Sequence, residues 1–140
     1  MGTKAKRNWF SNFLPFDKPL PYGGLRFRTP EHFYQAMKTK DGGIRFEISG
    51  LATPMEAKRR GRKVVLRDDW EDVKVDIMRY VLLHRFREGT EMRQRLMATE
   101  GEIVEWNHWH DKIWGKCICD ECQGNGNNLL GKLLMEIRDE

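Results

Sequence analysis

Apolar residues first recur at the short period of strands and then at the longer period of helices. Leu20-Tyr22 and Leu25-Arg28 read as two short strands. The Gly23-Gly24 pair between them tolerates the positive φ of a hairpin turn. Thr29-Pro30-Glu31 reads as a helix start, with a Thr cap, Pro at the first position and an acid in the first turn. That helix is predicted to run to about Lys40 and stop before Asp41-Gly42-Gly43. A short helix follows over Ile44 to Ser49, ended by Gly50. Thr53-Pro54-Met55-Glu56 is a second start, with Glu three residues after Thr as a capping box requires; its helix ends at Gly61. The longest helix is predicted from Asp68 or Asp69 to Gly89, with Trp70, Val73, Ile77, Val81 and His84 at helical spacing. Thr90 caps a shorter helix through Met92, Leu96 and Met97. Ile103-Val104-Glu105 reads as a short strand, and the last helix carries Leu129, Leu130, Leu133, Leu134 and Ile137. The pattern predicts an α+β, mainly helical fold: a single compact domain over residues 1–140 with a small β-hairpin or sheet.

Between Asn107 and Asn127 no period is visible. Loops of about twenty residues are uncommon in compact domains and are usually functional or disordered. This one is bordered by Trp106 and holds Trp109, Trp114, His108, His110 and Asp111. That composition is wrong for disorder, so the loop is expected to be ordered and part of a site.

Composition narrows the function classes. Hydrophobic residues are 39% and charged residues 33% of the 140, a globular balance. No apolar run approaches the roughly 18 residues that cross a bilayer. No apolar signal core follows the basic start, Met1 to Arg7. The expected location is therefore the cytoplasm. Three cysteines in a reducing compartment argue against a disulfide framework. A net charge of +4 suits an anionic partner such as a nucleotide, a sugar phosphate or nucleic acid.

Several residues could carry chemistry. On a helix, Glu31, Gln35 and Lys38 share one face. The plain reading of Glu31 is a first-turn acid that stabilises its helix. Asp111 offers a second carboxylate for orienting a water or a ribose hydroxyl, or simply an Asx-turn residue that shapes the loop. Paired carboxylates suit glycosidic cleavage, in which one stabilises an oxocarbenium-like sugar or activates water. Trp70 could stack on a base or on the apolar face of a ribose, although most tryptophans at this spacing are core. Arg59, Arg60 and Arg62 could fork onto phosphate oxygens, although such a run is usually a solvated face. Cys117, Cys119 and Cys122, with His108 and His110 upstream, have the residue types of a structural zinc site. Their spacing is not a strong paired pattern, and reduced, partly buried thiols with no metal are the favoured state. A catalytic metal is disfavoured, because three thiolates and a histidine leave no open position.

In order along the chain stand Phe10-Ser11-Asn12-Phe13, then Pro30-Glu31-His32-Phe33-Tyr34-Gln35-Ala36-x-Lys38, then Pro54-x-x-Ala57-x-x-x-Gly61-Arg62. Trp70-x-x-x-Lys74-x-x-x-Met78, Leu96-x-x-Thr99, Val104-Glu105 and Asp111-x-x-Trp114-Gly115 follow. The series closes on Asn128-x-Leu130-Gly131-x-x-Leu134-Met135-x-Ile137-Arg138. This series, from Trp9 to Arg138, resembles the NADAR family. The resemblance implies a compact, mainly helical fold and an N-glycosidase that needs no organic cofactor. It implies two substrate classes: phosphoribosyl-aminopyrimidine intermediates of riboflavin synthesis, and ADP-ribose attached to guanine in nucleic acid. The family's functional carboxylate, tryptophan and aspartate fall on Glu31, Trp70 and Asp111. In this reading Glu31 and Asp111 are catalytic. Trp70, Asn12, Phe13, Lys38, Arg62, Trp114 and Asn128 bind substrate, with Lys38 and Arg62 meeting phosphates. ADP-ribosylated guanine is the favoured substrate, phosphoribosyl-aminopyrimidines the alternative. A non-catalytic module that binds ADP-ribose or nucleic acid is the rival from another class. The chain departs from the family in its cysteine-bearing insert, Cys117 to Asn127, where a Gly-rich stretch is the family's habit. That departure touches the pocket rim more than the chemistry.

Overall fold

A computed structural model describes residues 11–140. The basic start Met1 to Arg7 and the aromatic pair Trp9-Phe10 lie outside the described residues. The described chain is α+β and mainly helical, and its contacts gather into two compact units, residues 11–85 and residues 86–140.

In the N-terminal unit, β1 (Leu20–Tyr22) and β2 (Leu25–Phe27) pair antiparallel, with Leu20 opposite Phe27. Gly23 and Gly24 both take positive φ, 58° and 82°, as a two-residue hairpin turn demands. The pleat turns Leu20 and Phe27 into the core, where Phe27 meets Phe33 edge-on at 5.3 Å. Phe33 belongs to α1 (Pro30–Ala36), whose free N-terminal amides find acceptors outside the helix ladder: His32 N donates to the Thr29 hydroxyl and Glu31 N to Asn12 O.

Helix α1 stops at Ala36, not near Lys40. The turn beyond Ala36 tightens: Lys38 N donates to Gln35 O at 3.2 Å and Thr39 N to Ala36 O at 3.4 Å. Arg67 then holds the exit, its N donating to Lys38 O at 2.8 Å and its guanidinium to Met37 O at 3.4 Å. Helix α2 (Gly42–Ser49) begins earlier than predicted, because Asp41 caps it through Ile44 N at 3.0 Å. Helix α3 (Pro54–Gly61) has the predicted capping box between Thr53 and Glu56. Helices α2, α3 and α4 (Trp70–Arg85) all pack on α1.

The buried face of α4 is Trp70, Met78, Val81, Leu82 and Arg85; Val73, Ile77 and His84 are only half-buried. The predicted stripe is thus displaced, because an arginine occupies the core face. Arg85 is 2% exposed and donates to the carbonyls of Ser11, at 3.0 Å, and Leu14. Its guanidinium also lies 5.3 Å from the centre of the Phe16 ring. Burial lowers its pKa to about 10, with Asp17 acting the other way, so it stays charged at neutral pH. The helix ends at Arg85 instead of Gly89.

In the C-terminal unit, Thr90 caps α5 (Glu91–Met97) through Arg93 N. The expected strand at Ile103-Val104-Glu105 is absent. The Asn128 carboxamide bonds that segment instead, donating to Ile103 O and accepting from Glu105 N, both at 2.9 Å. Pairing starts one residue later: β3 (Trp106–Asn107) runs parallel to β4 (Lys116–Cys117). Helix α6 (Leu129–Asp139) buries Leu130, Leu133, Leu134 and Ile137. Gly131 has no alternative there, since a Cβ would stand 2.2 Å from Ile103 O.

Candidate active site

Helix α1 presents Glu31 in its first turn, yet the side chain is not a solvated capping acid: the residue is 7% exposed. Gln35, one turn on, donates from Nε2 to Glu31 Oε2 at 2.6 Å. This bond fixes the amide's orientation, because only the NH2 end can face a carboxylate. Burial raises the Glu31 pKa, while the Gln35 hydrogen bond and the charges of Lys58, Lys38 and Arg62 pull it back. Burial lowers the Lys38 pKa, Glu31 opposes that, and Arg62 and Lys58 reinforce it. Two groups of opposite sign are therefore both drawn toward their neutral forms, with three cations gathered around one carboxylate.

Backbone contacts and rings hold this cluster. Gly61 closes α3 against Gln35; a Cβ there would lie 1.9 Å from Gln35 Oε1, so only glycine permits this approach. Gln35 Oε1 is itself buried without a hydrogen-bond partner. Lys58 Nζ stands 5.9 Å from the centre of the Phe13 ring, and Lys38 Nζ the same distance from Tyr34. Tyr34 meets Trp70 edge-on at 5.2 Å, and Trp70 is 6% exposed. Asn12 O accepts Glu31 N at 3.0 Å, and the Asn12 amide lies 4.0 Å from Met78 Sδ. His32, buried, joins Thr29 Oγ1 to Leu51 O at 2.8 and 2.9 Å. Leu51 O can only accept, so Nε2 carries the proton. Burial lowers the His32 pKa, and a neutral ring suits that bond pattern.

The structure thus brings Glu31, Lys38 and Arg62 into electrostatic reach. Phe13 and Trp70 join through Lys58 and Tyr34; Phe10 lies outside the described residues. Sequence reading missed Lys58, one helical turn before Arg62, and Arg85, which pins residues 11–14. Arg60 is engaged elsewhere, in an exposed ion pair with Glu47 at 2.8 Å.

Asp111, Trp114 and Asn128 belong to the C-terminal unit. Asp111 is half-buried, and its Oδ1 accepts from Ile113 N and Trp114 N at 3.1 and 3.0 Å, an Asx-type turn. Buried Asn107 organises the loop in a way the sequence did not reveal: its Oδ1 accepts from Trp109 N and Asp111 N, and its Nδ2 donates to Asp111 O at 2.8 Å. Trp114 is half-buried, and its carbonyl accepts from Leu130 N at 2.9 Å. Asn128, at φ 52°, precedes α6.

The same loop draws four soft ligands together. His110, Cys117, Cys119 and Cys122 place their ligand atoms within 4.8 Å of one another, close enough to bind a metal. Here His110, and not His108, is the histidine that meets the thiols. All three cysteines are unpaired. Burial works against ionisation of Cys117, but hydrogen bonds from the Cys119 and His110 backbone and from the neighbouring thiols bring its pKa to about 7. Burial and the neighbouring sulfurs push Cys122 up to about 11.

The NADAR domain model matches residues 1–140. N-glycosidase YbiA of Escherichia coli is 40% identical over 134 residues, covering 94% of this chain and 79% of that protein. Its NMR structure superimposes with a TM-score of 0.78 at 36% identity, over 99% of this chain and 81% of that one. An N-glycosidase of Nostoc punctiforme is 38% identical over 94% of this chain and 83% of its own length. A riboflavin biosynthesis protein of Vibrio vulnificus is 31% identical over 94% of this chain, which spans 35% of that larger protein. The motif series, the helical fold and these relatives converge: the chain belongs to the NADAR family.

Proposed function

We propose that the chain hydrolyses the N-glycosidic bond of a phosphorylated ribosyl compound, and that ADP-ribose carried on guanine in nucleic acid is its favoured substrate. The observation that carries this reading is a buried carboxylate, Glu31, held by Gln35 among Lys38, Lys58 and Arg62. In the reaction the bond from C1′ to the base nitrogen breaks and its electron pair leaves with the base. Positive charge develops at C1′ and the ring oxygen, and the Glu31 carboxylate stabilises it. Water then attacks C1′, gives its proton to Glu31, and the proton passes to the departing nitrogen, restoring the enzyme. Hydrolysis of this kind calls on no cofactor.

Lys38 and Arg62 bind phosphate oxygens in this scheme, and Phe13 and Trp70 pack on base or sugar. Asn12 adds a polar contact. Asp111 is assigned to orient a ribose hydroxyl or the water, and Trp114 to an aromatic contact, on their motif alone. Asn128, whose carboxamide is committed to Ile103 and Glu105, contributes through the frame of that segment. Three cations around one acid suit a diphosphate better than a monophosphate, which favours the ADP-ribosyl substrate. A phosphoribosyl-aminopyrimidine is the second reading, favoured by the name of the Vibrio relative. No helix among the described residues is long and apolar enough to cross a membrane, and a cytoplasmic site of action is part of the proposal.

Incubation of the protein with ADP-ribosylated DNA and, separately, with a phosphoribosyl-aminopyrimidine tests this. Release of free ADP-ribose from the first supports the favoured substrate; release of ribose 5-phosphate from the second alone selects the other. Tight binding of ADP-ribose without any product would instead identify a non-catalytic module.

A further inference from the structure

We propose that His110, Cys117, Cys119 and Cys122 hold one structural zinc ion, bound through His110 Nδ1 and the three cysteine sulfurs. Tetrahedral zinc with Zn–S of about 2.3 Å and Zn–N of about 2.0–2.1 Å has S···N edges of roughly 3.5–3.6 Å. Around His110 Nδ1 the sulfurs stand at 3.4 Å for Cys122, 3.5 Å for Cys119 and 4.0 Å for Cys117, which brackets that edge. All four atoms lie within 4.8 Å of one another. Two of the three nitrogen–sulfur distances match the tetrahedral edge, and Cys117, at 4.0 Å, needs to close by a few tenths of an ångström to complete it. Three sulfurs and an imidazole select zinc among the abundant divalent ions, since oxygen ligands would be needed for magnesium or calcium.

The surroundings also fit a metal. With Nδ1 on the ion, Nε2 must carry the proton, and Glu121 Oε1 lies 4.0 Å from it, beyond hydrogen-bond distance, as an exposed charge beside the ring. His110 N donates to Cys117 Sγ at 3.3 Å, which would disperse thiolate charge. His110 reaches this place at φ 68° and Gln123 at φ 52°, left-handed conformations that a non-glycine residue keeps only when its neighbours over-determine it. Gly126, at φ 152°, lets the chain pass where a Cβ would be 2.2 Å from Gly115 O. Paired backbone bonds hold the turn: Cys117 N to Asn125 O at 3.0 Å and Gly124 N to Cys117 O at 2.7 Å. Four protein ligands close the coordination sphere, so the ion is structural, tying the segment after β3 to the end of β4 and the turn beyond it. Binding displaces the thiol protons to solvent and transfers no electrons.

The test is elemental analysis of the full chain, purified under reducing conditions and reconstituted with zinc. About one zinc per chain is expected, with Cys119→Ser and His110→Ala lowering the content several-fold and His108→Ala leaving it unchanged. Cobalt(II) reconstitution should give the intense visible bands of a tetrahedral site together with thiolate charge transfer. If the ligand variants prove insoluble, the wild-type chain still decides. Its thiols should resist a disulfide reagent until a chelator strips the metal, and then all should react. A chain that stays metal-free with freely reactive thiols overturns the proposal, as do a disulfide within the cluster, bound iron in place of zinc, or the weak bands of octahedral cobalt.

Discussion

The two units of this chain treat polar groups in opposite ways. Around Glu31, side chains from packed helices surround a charge, and burial shifts the protonation of both Glu31 and Lys38. In the loop after β3, polar side chains mostly bind backbone: Asn107, Asp111 and Asn128 each bond main-chain groups. The first arrangement sets the energy of a charge, whereas the second sets the path of a chain. The difference teaches where sensitivity should lie: substitutions near Glu31 should act on rate and pH dependence, and substitutions in the loop on stability.

The sharpest break would come from Glu31→Gln. It keeps the shape and removes the charge, so kcat should fall by about 10²–10⁴-fold with KM little changed. Stability should move the other way. The folded pKa of Glu31 is raised above 4.5, so the fold favours the protonated acid and loses stability as pH climbs from 4.5 through the folded pKa. Thermal unfolding across that window should show Glu31→Gln stabilised at neutral pH, with the advantage gone in acid. Activity within a few-fold of the parent would remove Glu31 from the reaction.

Next in size is Trp70. Trp70→Ala should cost about 3–5 kcal/mol in denaturant unfolding, as large-to-small aromatic changes in a core do. Trp70→Phe keeps an aromatic face for Tyr34 and should lose little stability while binding ADP-ribose more weakly in calorimetric titration. Unchanged affinity would make Trp70 purely a core residue.

In the other unit, Asp111→Ala removes the acceptor for Ile113 N and Trp114 N and should cost about 1 kcal/mol. Asp111→Asn retains that acceptor, so its unfolding should match the parent. A fall in kcat for Asp111→Asn alone would show the carboxylate acting on substrate; an unchanged kcat would confine Asp111 to the turn. The smallest effect is on the pH profile. Lys58→Met removes a charge that lowers the Glu31 pKa, so the acid limb of kcat/KM should move to higher pH. A stationary limb would mean another group titrates there.

Local signals in the sequence proved readable and distant ones did not. The Gly23-Gly24 hairpin and the caps at Thr29, Thr53 and Thr90 depend on neighbours within a few residues, and all three caps form. Past the early end of α1 the chain is bonded by Arg67, some thirty positions on, a contact that no periodicity contains. The face of α4 was misread because Arg85 takes a core position through carbonyls of residues 11 and 14. At the site, helical spacing put Glu31, Gln35 and Lys38 on one face, but Lys58 comes from another helix. In the loop, spacing offered His108 and His110 equally, and only the left-handed turn at His110 separates them.

Glu31 N–H deserves a different kind of measurement. The second position of a helix has no acceptor within its own helix, and among the described residues this amide is bonded to Asn12 O. Its deuterium exchange is therefore a one-bond clock for the segment that Arg85 holds. Each exchange event at residue 31 records the detachment of residues 11–14 from α1, while the amide of His32, bonded to Thr29, keeps separate time for the helix end itself. Followed with and without ligand, that pair of rates would register the movement of a single turn in a chain whose global unfolding stays silent.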